Sequence, residues 1–452
     1  MPKDVGSCCP CLIGSVFVDF VQGRGLEPMM RLGGVMHAAR ALWAMGVPFG
    51  LGYVAPAYLR EDIEDLAGLY GAAFVQCIGT ITGCPNVMLV GEGLEVGPQR
   101  YEYLLRDQSE CDFSTGALRE LGSGAEFTDY LAFPGGFPLA DTLKEIGART
   151  ADVHADVNFV PAQQLQDLSA LKRRFASVML STSSGLFLDF FGRDPTKLQL
   201  KLSGYADSIL LKENRGGSRL FYTQAASEAI STPAQTTPIM HSVGVGDVFD
   251  AVFVVQRRSH GDTAALAYAS FAAAEYASCF RDSDVQQSIA AALSIDAHTI
   301  GALGGVVLPW EGRETVNIYL AAPDFDYVDT APLDALAEAL AYHNFTPRRP
   351  VREHGQVGAD TPASERRRIA EADLDLLAEC ALLIAVLLHD DPGTLIEIGV
   401  AIEKHIPVIV YDPFKRASNI MLTELPVLVS SDLDQIVSEV FVQAAKLKNG
   451  RA

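Results

Sequence analysis

The sequence predicts an α/β protein of two domains, each built on a mostly parallel sheet, and three observations carry that expectation. Apolar runs of strand length alternate with helical stretches from one end to the other, the pattern of a sheet covered on both faces. The chain has 452 residues, more than one ordinary core sustains. Over 300–315 the text becomes IGALGGVVLPWEGRET, where Gly, Pro and charge replace periodicity as at a domain boundary. The expected division is a domain over 1–300, a linker over 301–315 and a second domain over 316–452.

In the first domain the strand CLIGSVFV leads into the helix GGVMHAARALWAMG. The strand FGLGYV and a helix through Leu59 to Tyr70 follow. The same grammar continues through SVMLST at 177–182, DSILLKE at 207–213 and an Ala-rich helical stretch from Asp247 to Phe280. In the second domain VNIYLAA reads as a strand, 331–343 as a helix, and SERRRIAEADLDLLAEC as a longer helix opening near Ser364. The buried strand ALLIAVLL, the turn DDPGT, a helix to Lys404 and the strand PVIVY complete it. The polar stretch 348–362, RRPVREHGQVGADTP, has no apolar period and reads as a long loop.

Composition narrows the functional classes. Hydrophobic residues are 49% and charged residues 20%, which is globular. Against 35 basic residues stand 56 acidic ones, so a net charge of −21 opposes a nucleic-acid backbone or an anionic membrane as partner. No apolar run reaches membrane-spanning length, and Asp4, Asp19 and Glu27 stand where a leader would be basic then apolar, so a cytoplasmic protein is expected. Cys8, Cys9 and Cys11 cluster without a second cysteine or histidine group at ligand spacing, and they read as reduced thiols entering a strand rather than as a metal site. His154 has no partner at ligand spacing either and reads as a satisfied histidine.

Ligands of open parallel sheets bind beyond the carboxyl ends of the strands, which directs attention to Asp390, Asp391, Pro392, Gly393, Thr394 and Glu397 after ALLIAVLL. Gly393 suits a tight turn, Thr394 can cap a helix, and Glu397 lies about one turn inside it, where the macrodipole favours an ionised carboxylate. The blocks IYLAAPDF (318–325), the acidic helix with Asp373, and DPGTLIEIGVA (391–401) resemble in order and spacing the nucleoside 2-deoxyribosyltransferase family, over roughly 315–445. The resemblance implies a flavodoxin-like doubly wound sheet, Glu397 as nucleophile on the anomeric carbon, and Tyr319 positioning it. It also implies that Asp373 and Asp391 hold base and sugar and that Asp324, Gly393 and Thr394 line the substrate. ASNIML with Asn419 echoes a segment that lines a neighbouring subunit's site, which implies a homo-oligomer. Two departures stand out: Ala322 replaces the usual glycine, and Arg348, Arg349 and Arg352 make 348–352 more basic than a neutral nucleoside needs. Those arginines read equally as solvated surface or as a phosphate contact, led by Arg348.

In the first domain HSVGVGDVFD (241–250) runs into an apolar helix. Gly244 and Gly246 can turn backbone N–H groups towards an anion, and Asp247 can take a proton from a hydroxyl. With RLGGVMHAARALWAMG, VFVDF and LLKENRGGSRLF, this block resembles the ribokinase-like (PfkB) sugar and nucleoside kinases over about 10–290. The resemblance implies a ribokinase-like α/β sandwich, Asp247 as base, Gly244 and Gly246 as the anion hole, and Asp19, Gly33 and Gly34 as substrate contacts. ATP and Mg2+ are the implied cofactors of this domain, and none is implied for the second. Here too residues differ: His37 and His241 replace an asparagine and an aspartate, no NxxE pattern is present, and Leu211 and Glu213 stand in the TxG segment. A glutamate against nucleotide phosphates would repel them.

The expectation is an enzyme that cleaves or transfers an N-glycosidic (deoxy)ribosyl group through Glu397, acting on a nucleoside, nucleotide or sugar. Two alternatives stay open: a nucleotide-sensing, inactive kinase domain controlling a C-terminal nucleosidase, and an active PfkB-type kinase with a C-terminal ligand-binding module.

Overall fold

The computed structural model describes residues 9–21, 28–90, 95–98, 101–121, 126–224, 228–358 and 360–450; Cys8 of the cysteine cluster, Asp4 and Glu27 lie outside them. The chain divides into two compact units, Met1–Leu94 with Gln99–Val307, and Glu95–Pro98 with Leu308–Ala452.

The first unit opens with β1 (Pro10–Ser15), β2 (Val18–Val21), β3 (Met29–Leu32), α1 (Val35–Ala44), β4 (Phe49–Ala55), α2 (Arg60–Leu69) and β5 (Ala72–Thr82). It continues through β6 (Val87–Val90), β7 (Tyr101–Tyr103), β8 (Glu110–Phe113), α3 (Thr115–Leu121), β9 (Asp129–Phe133), α4 (Leu139–Gly147), β10 (Asp152–Asp156) and β11 (Ser177–Ser181). It closes with α5 (Pro195–Leu202), β12 (Ser208–Lys212), β13 (Ser218–Tyr222), β14 (Ile230–Thr232), α6 (Val245–Ala277), α7 (Asp282–Leu293) and α8 (Ala297–Ala302). A ten-stranded sheet runs β14-β13-β12-β11-β10-β9-β1-β4-β5-β8. It is parallel from β12 to β5 and antiparallel at both margins. Every residue of β1 and β4 is buried, as expected of strands covered on both faces. Helices α1 and α6 belong to the main core, through Met36, Ala39 and Leu42 on one and Val248, Val252 and Leu266 on the other. A separate four-stranded sheet, β3-β2-β6-β7, was not legible as such because its strands are short and only half-buried.

The second unit contains α9 (Trp310–Arg313), β15 (Asn317–Ala321), α10 (Ala331–Tyr342), β16 (Thr346–Arg348), α11 (Pro350–His354) and α12 (Ala363–Glu379). These are followed by β17 (Leu382–Val386), α13 (Pro392–Glu403), β18 (Val408–Tyr411), α14 (Ile420–Glu424), β19 (Leu428–Ser430) and α15 (Leu433–Asn449). Its five strands are all parallel, in the order β16-β15-β17-β18-β19. The chain leaves β15 in one direction and returns on its other side as β17, so the switch point of this doubly wound sheet lies between them. Two stretches differ from expectation. The segment 348–362 is not all loop, because Pro350 opens the helix α11. The stretch read as a linker holds α9, where the Arg313 guanidinium lies 5.3 Å from the buried Trp310 ring and 4.8 Å from Phe441.

Candidate active site

Glu397 reaches the switch point of the second unit from the second turn of α13. Its Oε1 accepts a hydrogen bond of 2.6 Å from the hydroxyl of Tyr319, which projects from the middle of β15. Tyr319 is fixed because its ring is buried in the core with Ala321, Leu383, Ala385 and Ile398. The helix start alone would keep Glu397 ionised, yet its carboxyl is pushed up to about 7. Burial is the largest cause, and the nearby Asp373 and Asp391 add to it against the opposing Tyr319 bond. The tyrosine hydroxyl is itself driven upwards, by burial first and then by the adjacent carboxylate.

The other predicted residues divide by what their side chains do. Asp373, on α12, lies 2.7 Å from Nδ1 of His354, and both side chains are about a quarter exposed. His354 was not singled out from sequence. Its signal was present, since a lone histidine at the end of a basic stretch faces the acidic helix once α11 forms. Asp391 caps α13, its Oδ2 accepting from the backbone N–H (2.7 Å) and hydroxyl (2.8 Å) of Thr394. A Cβ at Gly393 would stand 3.0 Å from that same oxygen. Asn419 caps α14 by accepting from Met421 N–H at 2.9 Å. Asp324 is buried and clasped by both prongs of Arg349 at 2.8 and 2.7 Å, with Arg352 at 3.3 Å. The Arg348 fork lies on Glu353 at 2.8 and 2.5 Å. The three arginines that read as surface or phosphate contact are therefore all held by carboxylates.

In the first unit, a cleft of about 50 Å³ is lined by residues that include Ser15, Phe17, Gly34, Tyr103, Asp156 and Asp247. Phe133, Phe159 and Arg106 also face it, and Arg106 stacks over Tyr103 at 4.3 Å. Asp19 is buried on β2 with Oδ2 2.9 Å from Nε2 of His37. Burial holds His37 down to about 4 despite that bond, so the ring is neutral, its Nε2–H donates to Asp19 and its Nδ1 accepts from Tyr276 at 2.6 Å. Oδ1 of Asp19 is buried without a hydrogen-bond partner, which leaves one strong acceptor unpaired. Two glycines are obligatory here. A Cβ on Gly33 would sit 1.9 Å from Asp19 Oδ2, and one on Gly244, at φ 76°, would sit 2.1 Å from the His37 ring.

Asp247, at the start of α6, is pushed up to about 8 by burial and by Asp156 and Asp19, against the opposing Lys212. Glu213 is buried and closed into a two-pronged ion pair with Arg219, at 2.7 and 2.8 Å. The repulsion towards phosphates expected from sequence is thus largely cancelled within the protein. Lys212, Asp156 and Asp250 were not legible as a cluster in the sequence, although a lysine closing the apolar strand SILLK is itself a signal. The donor set does not fit a magnesium ion, because Lys212 already bridges Asp156 and Asp250. Among the described residues no group of three or more His, Cys, Asp or Glu side chains is placed to hold a metal. Elsewhere His154 is satisfied by Ser177 (2.5 Å) and Asp129 (3.3 Å), and no described helix is long and apolar enough to cross a membrane.

The second unit is an all-parallel α/β domain with a tyrosine-held, half-buried glutamate at its switch point. Residues 318–433 match the family model for nucleoside 2-deoxyribosyltransferase, so the C-terminal unit is deoxyribosyltransferase-like. Among solved structures, the chain is similar to a ribokinase from Thermotoga maritima, with 18% identity over 64% of this chain and 100% of that one and a TM-score of 0.46. It is also similar to a nucleoside kinase from Burkholderia thailandensis in complex with inosine, with 14% identity over 64% and 99% and a TM-score of 0.43. A putative ribokinase II from E. coli, in complex with ATP and Mg2+, gives 14%, 64%, 99% and 0.46 in the same order. No curated protein sequence matches this chain.

Proposed function

We propose that the C-terminal unit breaks the N-glycosidic bond of a (deoxy)nucleoside with Glu397 as nucleophile, and passes the sugar to a second base or to water. The observation that carries this reading is the 2.6 Å bond from Tyr319 to Glu397 at the switch point of the sheet. As the base departs with the bonding electrons, positive charge builds on the sugar ring, and Glu397 can stabilise it or capture the anomeric carbon as an ester. One carboxylate oxygen is held by Tyr319, which leaves the other to attack. Departure of the base calls for a proton on its nitrogen. Asp373 with His354 is better suited to deliver it than Asp391, whose Oδ2 already accepts two bonds at the helix cap. Water or a second base then attacks the anomeric carbon and gives up a proton, the bond from that carbon to Glu397 breaks, and the carboxylate is regenerated.

Commitment of Arg348, Arg349 and Arg352 to carboxylates favours a nucleoside over its 5′-phosphate. Exposed Ile396, Ile420 and Met421, beside Asn419 and on α13, favour association of copies of this chain in solution. In the N-terminal unit the unpaired acceptor of Asp19 and the aromatic walls of the cleft favour a hydroxyl-bearing nucleoside or sugar. The deciding experiment incubates the purified chain with deoxynucleosides and their 5′-phosphates and measures free base. Release by the wild type and its loss in Glu397→Ala support the reading; unchanged release in the variant overturns it.

A further inference from the structure

Behind the cleft of the first unit, four charged side chains meet at the carboxyl ends of β10 and β12 and the start of α6. Lys212 Nζ donates to Asp156 Oδ2 at 2.8 Å, to Asp250 Oδ2 at 2.6 Å and to the Gly246 carbonyl at 3.4 Å, so all three of its protons are directed. Asp156 is filled from the other side, its two oxygens accepting from the backbone and side-chain nitrogens of Asn158 at 2.8 and 2.9 Å. Lys212, Asp156 and Asp250 are all buried, and Asp247 stands beside them on the cleft wall.

Magnesium requires oxygen ligands in an octahedral shell about 2.1 Å away and usually retains several waters. An ammonium group between the same two carboxylates takes both the charge and the space. Burial, aided by Asp156, drives Asp250 well above the ordinary carboxylate range against the opposing Lys212, and Asp247 is pushed up to about 8. One ammonium is thus shared between two buried carboxyl groups, and burial with the neighbouring acids favours the protonated form of Asp250 and of Asp247. The Lys212 ammonium fills the space between the two carboxyl groups, and its charge is committed to them rather than to a ligand.

We propose that Lys212 is a built-in counter-cation standing where a divalent ion would bridge Asp156 and Asp250, so that the N-terminal cleft binds a neutral hydroxyl-bearing ligand without magnesium and without phosphoryl transfer. Removing the ammonium then leaves two or three carboxylates around a cavity of cation size, and the variant acquires the metal site that the natural chain lacks. This inference is independent of the glycosidic chemistry assigned to the other unit.

The test titrates the full-length chain with Mn2+ and counts bound ions by electron paramagnetic resonance, for the wild type, Asp250→Asn, Lys212→Ala and Lys212→Ala with Asp250→Asn. The expected result is one additional Mn2+ in Lys212→Ala, bound at least about tenfold more tightly than any wild-type site, and its loss in the double variant. Equal stoichiometry in wild type and Lys212→Ala overturns the proposal, as does a wild-type ion lost on Asp250→Asn. A second measurement stands even where Lys212→Ala fails to fold. Wild-type protein is incubated with radiolabelled ATP, MgCl2 and a panel of nucleosides and sugars. No phosphoryl transfer is expected, and transfer abolished by chelator and by Asp247→Ala overturns the proposal.

Discussion

Replacing Tyr319 by Phe removes one oxygen atom and leaves the buried ring in place, so the change isolates the bond that holds Glu397. That bond is short, 2.6 Å, and its acceptor is the ionisable carboxylate. Hydrogen bonds to charged groups contribute about 1.5–3 kcal/mol, and one pKa unit corresponds to about 1.4 kcal/mol. Because the tyrosine favours the ionised form, its loss should raise the Glu397 carboxyl by about one to two units above its present value of about 7. A nucleophile has to be ionised. The acid limb of the kcat/KM profile for base release should therefore move from near pH 7 to about pH 8–9. At pH 7 the ionised fraction falls from about half to between roughly a tenth and a hundredth, a loss of about 5- to 50-fold that shrinks in alkaline buffer. The assay is initial-rate base release from pH 5 to pH 10, with circular dichroism to confirm folding. An acid limb that stays in place in a folded Tyr319→Phe protein would refute the reasoning.

Asp373→Asn should act in the opposite direction. It removes a charge that raises Glu397, so the acid limb falls below its wild-type position even as the rate at the plateau drops with the proton donor, both read from the same pH profile. Glu397→Gln should stabilise the fold in alkaline buffer. A carboxyl raised to about 7 binds its proton more tightly folded than unfolded, so wild-type stability falls as pH climbs from the ordinary carboxylate range through 7. Chemical denaturation should then show the variant more stable at pH 8 by on the order of 1–3 kcal/mol, with the difference gone near pH 4. Arg349→Ala leaves buried Asp324 with only the longer Arg352 contact, and urea denaturation should register a loss of about 3 kcal/mol.

The alternation of apolar runs and helices made the two parallel sheets legible, because strands buried on both faces must be continuously apolar, as β4 and β17 are. The four-stranded sheet and the antiparallel margins were not, since three- and four-residue strands carry too few side chains to show a period. Within the candidate site, Glu397 and Tyr319 could be named because each lies in a contiguous block that resembles the nucleoside 2-deoxyribosyltransferase family. What the sequence could not carry was pairing across distance. His354 meets Asp373 only through the fold of α11 against α12, and Lys212 meets Asp156 and Asp250 only because β10 and β12 end where α6 starts. The same holds for charge. A helix start favours an ionised glutamate, but burial and two neighbouring carboxylates outweigh it, and those are properties of packing rather than of spacing.

On the proposed mechanism Glu397 attacks a sugar carbon. The most direct measurement is mass spectrometry of protein quenched during turnover of a deoxynucleoside, followed by peptide mapping. One pentosyl group on the peptide containing Glu397, absent from Glu397→Ala, is the predicted result. Release of base by both proteins, with no modified peptide in either, would contradict it.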